Sequence, residues 1–392
     1  MAIRQIRYGG AVTGIAEERA IIKSIRKSRK TRGWQAGEEA AKFEKELSKY
    51  LDVKNAILTT SGSCAGLLAL SALELPKQSE VIISACTFPT IFNIILQCGL
   101  TPVVVDAKVG TYNFDVSEVE KAITPNTKAI IAIHAVGNPV DMPKLMEVVG
   151  RQDHKIYVIE DGCDALGGSI NKKKLMSFGD IGITSFHAAH IVSMGVGGGV
   201  FTNNDGLAQK VRMYRDWGRQ ANTDDPNKYE TLPADYNPRF IYEKIGYNFQ
   251  ILDLQAAMGR VQLKKIKDIK KARKANFDYL KEHLSKHRQL LMPISVESSD
   301  VCWFAFPLSL HTGGDRGKLV DHLEKNGIET RSMFSGDISK HPAYANSHYK
   351  VHGELTDADH ILKHSFWVSC HNSLTKKDLD YIIKTFDDYF QN

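Results

Sequence analysis

The sequence predicts an α/β fold: a large, mostly parallel sheet followed by a smaller α/β unit. Three observations predict it. Six short runs, NAILTT, EVIISAC, TPVVVDA, TKAIIAIHAV, KIYVIED and DIGITSF, are apolar throughout and alternate with helical stretches. Strands of that kind are buried on both faces, as in a sheet covered by crossover helices. The polar turns TSGS, CTFP, HAVGNP, EDGCDA and SFHAAH follow such runs, so they fall at the carboxyl edge of the sheet, where ligands bind. Beyond about residue 255 the alternation ends and a long charged helix leads into a shorter mixed pattern.

Taken in order, IKSIRKSRK has helical spacing and reads as a solvated helix face. From about residue 36, EEAAKFEKELSKYLDV places Phe43, Leu47 and Leu51 on one helical face. The six apolar runs come next. Residues 219–244 are polar, rich in Pro and Tyr and without periodicity, and a loop of that length is usually functional or disordered. A helix from Leu252 to His287, with KKIKDIKKARK as another solvated face, leads into LLMPIS, CWFAFPLSL, a helix around Lys318–Asn326, and GIETRSM. The division expected is a large domain over 1–255 and a small C-terminal α/β domain over 256–392.

A chain of 392 residues can bury a large core, and 43% hydrophobic with 24% charged residues is ordinary soluble composition. The net charge of +6 is scattered along helices, which argues against nucleic-acid binding and suits a phosphate-bearing substrate. No apolar run approaches the roughly 18 residues of a membrane helix, and no apolar leader opens the chain. Six dispersed cysteines without a C-x-x-C pair point to reduced thiols in the cytoplasm, and argue against zinc or a locally clustered iron–sulfur centre.

Three motifs carry chemistry. Thr60, Ser61, Gly62 and Ser63 stand between a strand and an apolar helix, where backbone amides and hydroxyls form either a phosphate seat or a simple cap. Asp161 emerges at a strand end in IEDGCDALG. In SFHAAHIVSMGVGGG, Ser185 and His190 stand five residues apart before a glycine run, and His187 lies between them. An imidazole takes and gives protons near neutral pH, its ordinary pKa being about 6.5. A lone histidine can equally be a packing or surface residue.

Together these motifs resemble the DegT/DnrJ/EryC1/StrS family of sugar aminotransferases, which use pyridoxal 5'-phosphate (PLP) on the aspartate aminotransferase-like fold (fold type I). The family's Ser-Phe-x-x-x-Lys segment binds the cofactor covalently through its lysine. His190 holds that position here and has no primary amine, so a covalent link is excluded. The resemblance implies that Gly62, Ser63 and Ser185 hold the cofactor phosphate, that Asp161 faces the ring nitrogen, and that Phe88 of CTFPTIFN stacks on the ring. Asp164 stands where many relatives direct Gln or His at the ring hydroxyl. Asn248, in GYNFQILDLQAAMG, implies a homodimer with shared sites, because in relatives it reaches the neighbouring subunit's phosphate; Gln250 replaces a frequent basic residue.

The similarity runs from SRKTRGWQAGEEAAKFEKELSKYL through AVGNPVDM, YRDWGR and YEKIGYN to TRSMFSGDISKHPAY, essentially the whole chain. It is strongest to the histidine-containing 3-dehydratase branch, particularly the enzymes acting on GDP-4-keto-6-deoxymannose. Two positions depart from that branch: Val196 replaces a usual glutamate, and Ala189 precedes the histidine. What the resemblance implies is C3 deoxygenation of a nucleotide-linked 4-keto-6-deoxyhexose by PLP and pyridoxamine 5'-phosphate (PMP). L-Glutamate would regenerate PMP and His190 would be the acid/base. Arg219, Arg331 and His341 are candidate substrate contacts, and His134 is as readily structural. A [2Fe–2S] branch places cysteines after W-G-R; here that stretch reads QANTDDPN, so neither iron nor a reductase partner is expected. The rivals are an aminotransferase that has replaced its lysine, and an inactive sugar-binding homologue.

Overall fold

A computed structural model describes residues 4–31, 33–219, 231–233 and 235–391. The six apolar runs are strands: β1 (Asn55–Thr59), β2 (Glu80–Ser84), β3 (Thr101–Val105), β4 (Thr127–Ile133), β5 (Tyr157–Asp161) and, after the short pair β6 (Ser169–Ile170) and β7 (Lys173–Lys174), β8 (Ile181–Ser185). A further strand, β9 (Gly198–Thr202), runs antiparallel between β1 and β8. It was not anticipated, because its leading Gly198-Gly199 pair weakens the strand pattern. Gly198 has no room for a side chain: a Cβ there would lie 2.1 Å from the Ser61 carbonyl oxygen.

Both faces of this sheet are apolar, with period two. Val81 and Ile83 of β2 join Ile131 of β4 in one core, while Ile82 and Ile130 join the other. Helices α1 (Ile15–Thr31), α2 (Glu38–Leu51), α3 (Gly62–Leu73), α4 (Pro89–Gln97), α5 (Val116–Ala122), α6 (Met142–Gly150) and α7 (Asp205–Arg215) accompany the sheet. In α2 the expected stripe of Phe43, Leu47 and Leu51, with Ala40, is buried. Its first amides, of Glu39 and Ala40, donate to the Asp253 carboxylate at 3.2 and 2.9 Å.

The single helix expected over Leu252–His287 is two, α8 (Asp253–Lys264) and α9 (Ile266–Leu284), broken at Lys265. The break sits where the buried Glu17 carboxylate of α1 accepts from Gln262 at 2.7 Å and pairs with Lys265. KKIKDIKKARK is not wholly a solvated face: Arg273 lies among the buried residues of α9 and is only 1% exposed. Then follow β10 (Leu290–Leu291), β11 (Ser299–Asp300), β12 (Phe306–Leu310), α10 (Arg316–Lys325), β13 (Thr330–Ser332), β14 (Lys350–Val351), α11 (Thr356–His364), β15 (Ser365–Val368) and α12 (Lys376–Gln391). A four-stranded antiparallel sheet forms in the order β10-β12-β15-β13. β14 leaves it to pair, parallel, with β3 on the edge of the large sheet. Near the start of the chain, Ile6 bridges Ile328 and the Tyr8 ring packs edge-on against Trp367.

His371, after β15, is 5% exposed, and its Nδ1 accepts from the Ser373 amide at 3.2 Å. Burial, and then the Arg273 charge, push its imidazole down to about 4. The unfolded chain therefore binds a proton that the folded one refuses. The resulting stability is fully present above about pH 6.5 and is lost as pH falls toward 4, on the order of 2 kcal/mol. Urea unfolding at pH 7 and 4.5 should show a smaller pH dependence in His371→Gln than in wild type; an equal dependence would refute the assignment.

Candidate active site

Four chain segments meet at the carboxyl edge of the sheet. α3 begins at Gly62, capped by Ser61, whose hydroxyl accepts from the Cys64 amide at 3.1 Å. A Cβ at Gly62 would lie 2.8 Å from Ser185 Cβ and 2.9 Å from Cys163 Sγ, so the helix N-terminus abuts both β8 and the turn after β5. Ser63 is exposed, and its hydroxyl lies 3.0 Å from that of Thr90. Ser185 ends β8, and its hydroxyl accepts from the His187 amide at 3.2 Å. Free amides at the start of a helix, flanked by hydroxyls and with no Cβ in the way, suit a phosphate dianion.

Asp161 ends β5, directly beside Ile183 of β8. It is 6% exposed, and its Oδ1 accepts from the Cys163 amide at 3.0 Å. Burial pushes its pKa up, and nearby Asp164 adds to this, while hydrogen bonds from Cys163 oppose it. Among the described residues no cationic side chain forms an ion pair with it. A buried carboxylate in that state is complementary to a protonated ring nitrogen.

His190 Nε2 lies 3.3 Å from Asp164 Oδ1. Its Nδ1 is buried with no hydrogen-bond partner. The imidazole is 5.5 Å from the Phe304 ring and 5.8 Å from that of His187. His187 Nδ1 accepts from the Ala189 amide at 3.3 Å, and burial, then His190, lower its pKa. Phe304 was not singled out in the sequence. Its only signal was membership of an aromatic-rich run, and nothing local tied that run to His190.

The remaining candidates lie around this centre. Phe88 is 56% exposed and edge-on to Phe334 at 6.5 Å. His341 supports the same region from behind, with Nε2 2.9 Å from the Ser335 carbonyl. Arg331 stacks on Tyr8 at 4.1 Å and donates to the Thr330 carbonyl at 2.7 Å. Arg219 and Asn248 occupy another patch. The guanidinium is 5.2 Å from the Trp217 ring centroid, the Trp217 amide donates to the Tyr247 carbonyl at 2.7 Å, and Asn248 is exposed. Gln250 donates to Asp216 at 2.9 Å, and the exposed Val196 accepts from Gln255 through its carbonyl. His134 is structural: it is 1% exposed, with Nδ1 accepting from the Val140 amide and Nε2 3.4 Å from buried Glu160. Of the long polar stretch, residues 220–230 and 234 lie outside the described residues.

A helix N-terminus flanked by hydroxyls, a buried carboxylate and a histidine with a bare ring nitrogen, at the edge of an α/β sheet, suit the PLP-enzyme class. Solved structures agree. The Escherichia coli GDP-4-keto-6-deoxy-D-mannose 3-dehydratase with bound hydrated PLP is similar with a TM-score of 0.88 and 26% identity, over 97% of this chain and 100% of that one. Others of that enzyme hold a trapped PLP–glutamate adduct or, in a histidine-to-asparagine mutant, GDP-perosamine. The chain belongs to the DegT/DnrJ/EryC1/StrS aminotransferase family, whose pattern matches residues 16–387. It is 39% identical to the lipopolysaccharide biosynthesis protein RfbH of Salmonella typhimurium, covering 89% of this chain and 84% of the relative. It is 34% identical to the dTDP-4-dehydro-2,6-dideoxy-D-glucose 3-dehydratase of Saccharopolyspora spinosa, covering 98% and 86%. The family comprises PLP-dependent nucleotide-sugar enzymes, both dehydratases and aminotransferases. No helix among the described residues is long and apolar enough to cross a membrane.

Proposed function

We propose that the protein removes the C3 hydroxyl of a nucleotide-linked 4-keto-6-deoxyhexose, yielding the 4-keto-3,6-dideoxy sugar. The observation that carries this reading is the His190 imidazole at the family's lysine position, beside Asp164 and with Nδ1 buried and unpartnered. PLP and PMP, when bound, supply the amine and the electron sink. Gly62, Ser63 and Ser185 hold the phosphate, Phe88 covers the ring, and Asp161 keeps the ring nitrogen protonated. The Asp164 carboxylate favours the tautomer with its proton on Nε2, so Nδ1 is the nitrogen that takes a proton and returns it to the departing hydroxyl. Arg219 and Arg331 bind anionic groups of the sugar nucleotide and of glutamate, and His341 contacts substrate. Asn248, exposed on one protomer, completes the phosphate seat of a second in a homodimer.

Each turnover consumes one L-glutamate as the two-electron reductant and releases one 2-oxoglutarate, one ammonia and the deoxygenated sugar. No iron and no reductase take part, since the segment after Trp217-Gly218-Arg219 carries no cysteine. Incubation with PLP, glutamate, a chelator and a panel of nucleotide 4-keto-6-deoxyhexoses, read by mass spectrometry, should show a product lighter by one oxygen atom. An amino sugar that keeps its C3 hydroxyl, or turnover dependent on a ferredoxin-type reductase with glutamate unconsumed, would overturn this reading.

A further inference from the structure

We propose that a lysine-lined pocket beside α9 is a second anion site, built from other residues than the candidate active site, and that its ligand is a diphosphate group.

The pocket has a volume of about 320 Å³ and lies between α9, β7 and the C-terminal end of α2. Lys174, Lys267, Lys270, Lys271 and Lys274 line it, with Asp300 as the one carboxylate among them. None of the residues assigned above to cofactor or substrate is in its wall. Four of the lysines stand at i, i+3, i+4 and i+7 of α9, so they share one face of the helix. Like charges at i and i+4 repel, and this face holds two such pairs, Lys267 with Lys271 and Lys270 with Lys274. Asp268, the acidic residue of the first turn, does not line the pocket.

The ion pairs present leave most of this charge uncompensated. Lys270 is spent: its Nζ donates to the carbonyls of Gly167 at 2.9 Å and Asp300 at 3.0 Å and to Asp300 Oδ2 at 2.5 Å, which uses all three of its protons. Lys274 pairs with Asp278 at 2.7 Å. Among the described residues Lys174, Lys267 and Lys271 form no ion pair with a carboxylate. The Lys174 ammonium instead sits 5.0 Å from the Tyr50 ring centroid. Burial, followed by the charge of Lys270, lowers its pKa, and Lys267 adds to this. An ammonium partly withdrawn from water and lacking a counter-ion is where an anion gains most. A concave wall of one sign concentrates its field on the interior. A monoanion offsets only one of the three unpaired ammonium groups, whereas a diphosphate carries several charges and acceptor oxygens on one small group.

The test is trace acetylation of the full-length protein with acetic anhydride at constant ionic strength, read lysine by lysine through peptide mapping. A bound anion both covers an amine and holds its proton on. Millimolar inorganic pyrophosphate should therefore slow the reaction of Lys174, Lys267 and Lys271 by roughly fivefold or more. Lys377 and Lys384, exposed elsewhere, should react as before. GDP in place of pyrophosphate distinguishes a nucleotide-borne diphosphate from a free one, and protection by either supports the site. In Lys267→Gln/Lys271→Gln, which removes two exposed charges, Lys174 should lose that protection. Undiminished reaction of Lys174 with both probes overturns the proposal, as does equal slowing of Lys377 and Lys384, which is ionic screening alone. Protection retained in the double variant overturns it too. Slowing by phosphatidylglycerol vesicles, with none by pyrophosphate or GDP, would make this face a membrane contact and equally refute a diphosphate site.

Discussion

His190→Asn should lower kcat by about 10³ while PLP still binds within a few-fold of wild type. The amide fills most of the imidazole's space but cannot exchange a proton at neutral pH. The groups proposed to hold the cofactor are other residues: the α3 N-terminus, Ser185 and Asp161. Equilibrium binding of PLP by absorbance and steady-state turnover separate the two effects. The site has no amine at this position, so borohydride treatment of the wild type should fix no adduct on residue 190. Turnover within about tenfold of wild type in His190→Asn would remove the histidine from the mechanism.

Asp161→Asn should cost on the order of 10³ in kcat, because a neutral amide no longer favours a protonated ring nitrogen. The same change should not destabilise the cofactor-free protein. Burial raises the Asp161 pKa, so the folded chain binds more protons than the unfolded one. Stability is therefore lost as pH rises from about 3.9 through the raised value, and the penalty persists at neutral pH. Asparagine removes that penalty and still accepts from the Cys163 amide. Urea unfolding at pH 7 should find the cofactor-free variant at least as stable as wild type; a loss beyond about 1 kcal/mol would show that the carboxylate is a structural residue rather than one kept for a ligand.

The parts of this architecture legible in the sequence are those whose signal is local. Strands buried on both faces carry consecutive apolar residues, so β1 to β5 and β8 announce themselves. β9 does not, because Gly198 and Gly199 are set by the close approach of another backbone, which no pattern along the chain records. The turns holding Gly62, Asp161 and Ser185 are each contiguous with a strand, and their meeting at one edge follows from a parallel sheet. Phe304 arrives from the C-terminal half, and its approach to His190 is set by packing alone. Arg273 left one trace, a charge in register with Ile266, Ile269 and Phe277, which charge density along KKIKDIKKARK masked. The helix break at Lys265 depends on Glu17 of another helix, and Arg331 is engaged by Tyr8; neither partner lies near in sequence.

The pairing of β14 with β3, and of Ile6 with Ile328, has a bearing on how the chain is made. The β3 edge stays bare until residues 350–351 have left the ribosome, and the segment around Ile6 has no partner until residue 328 follows. Both sheets therefore wait on contacts between distant parts of the chain, which are slow to form because a long loop must close first. In the interval an exposed parallel edge invites pairing with other nascent chains. Yield of soluble protein should thus respond more to expression rate and temperature than the stability of the finished fold would suggest.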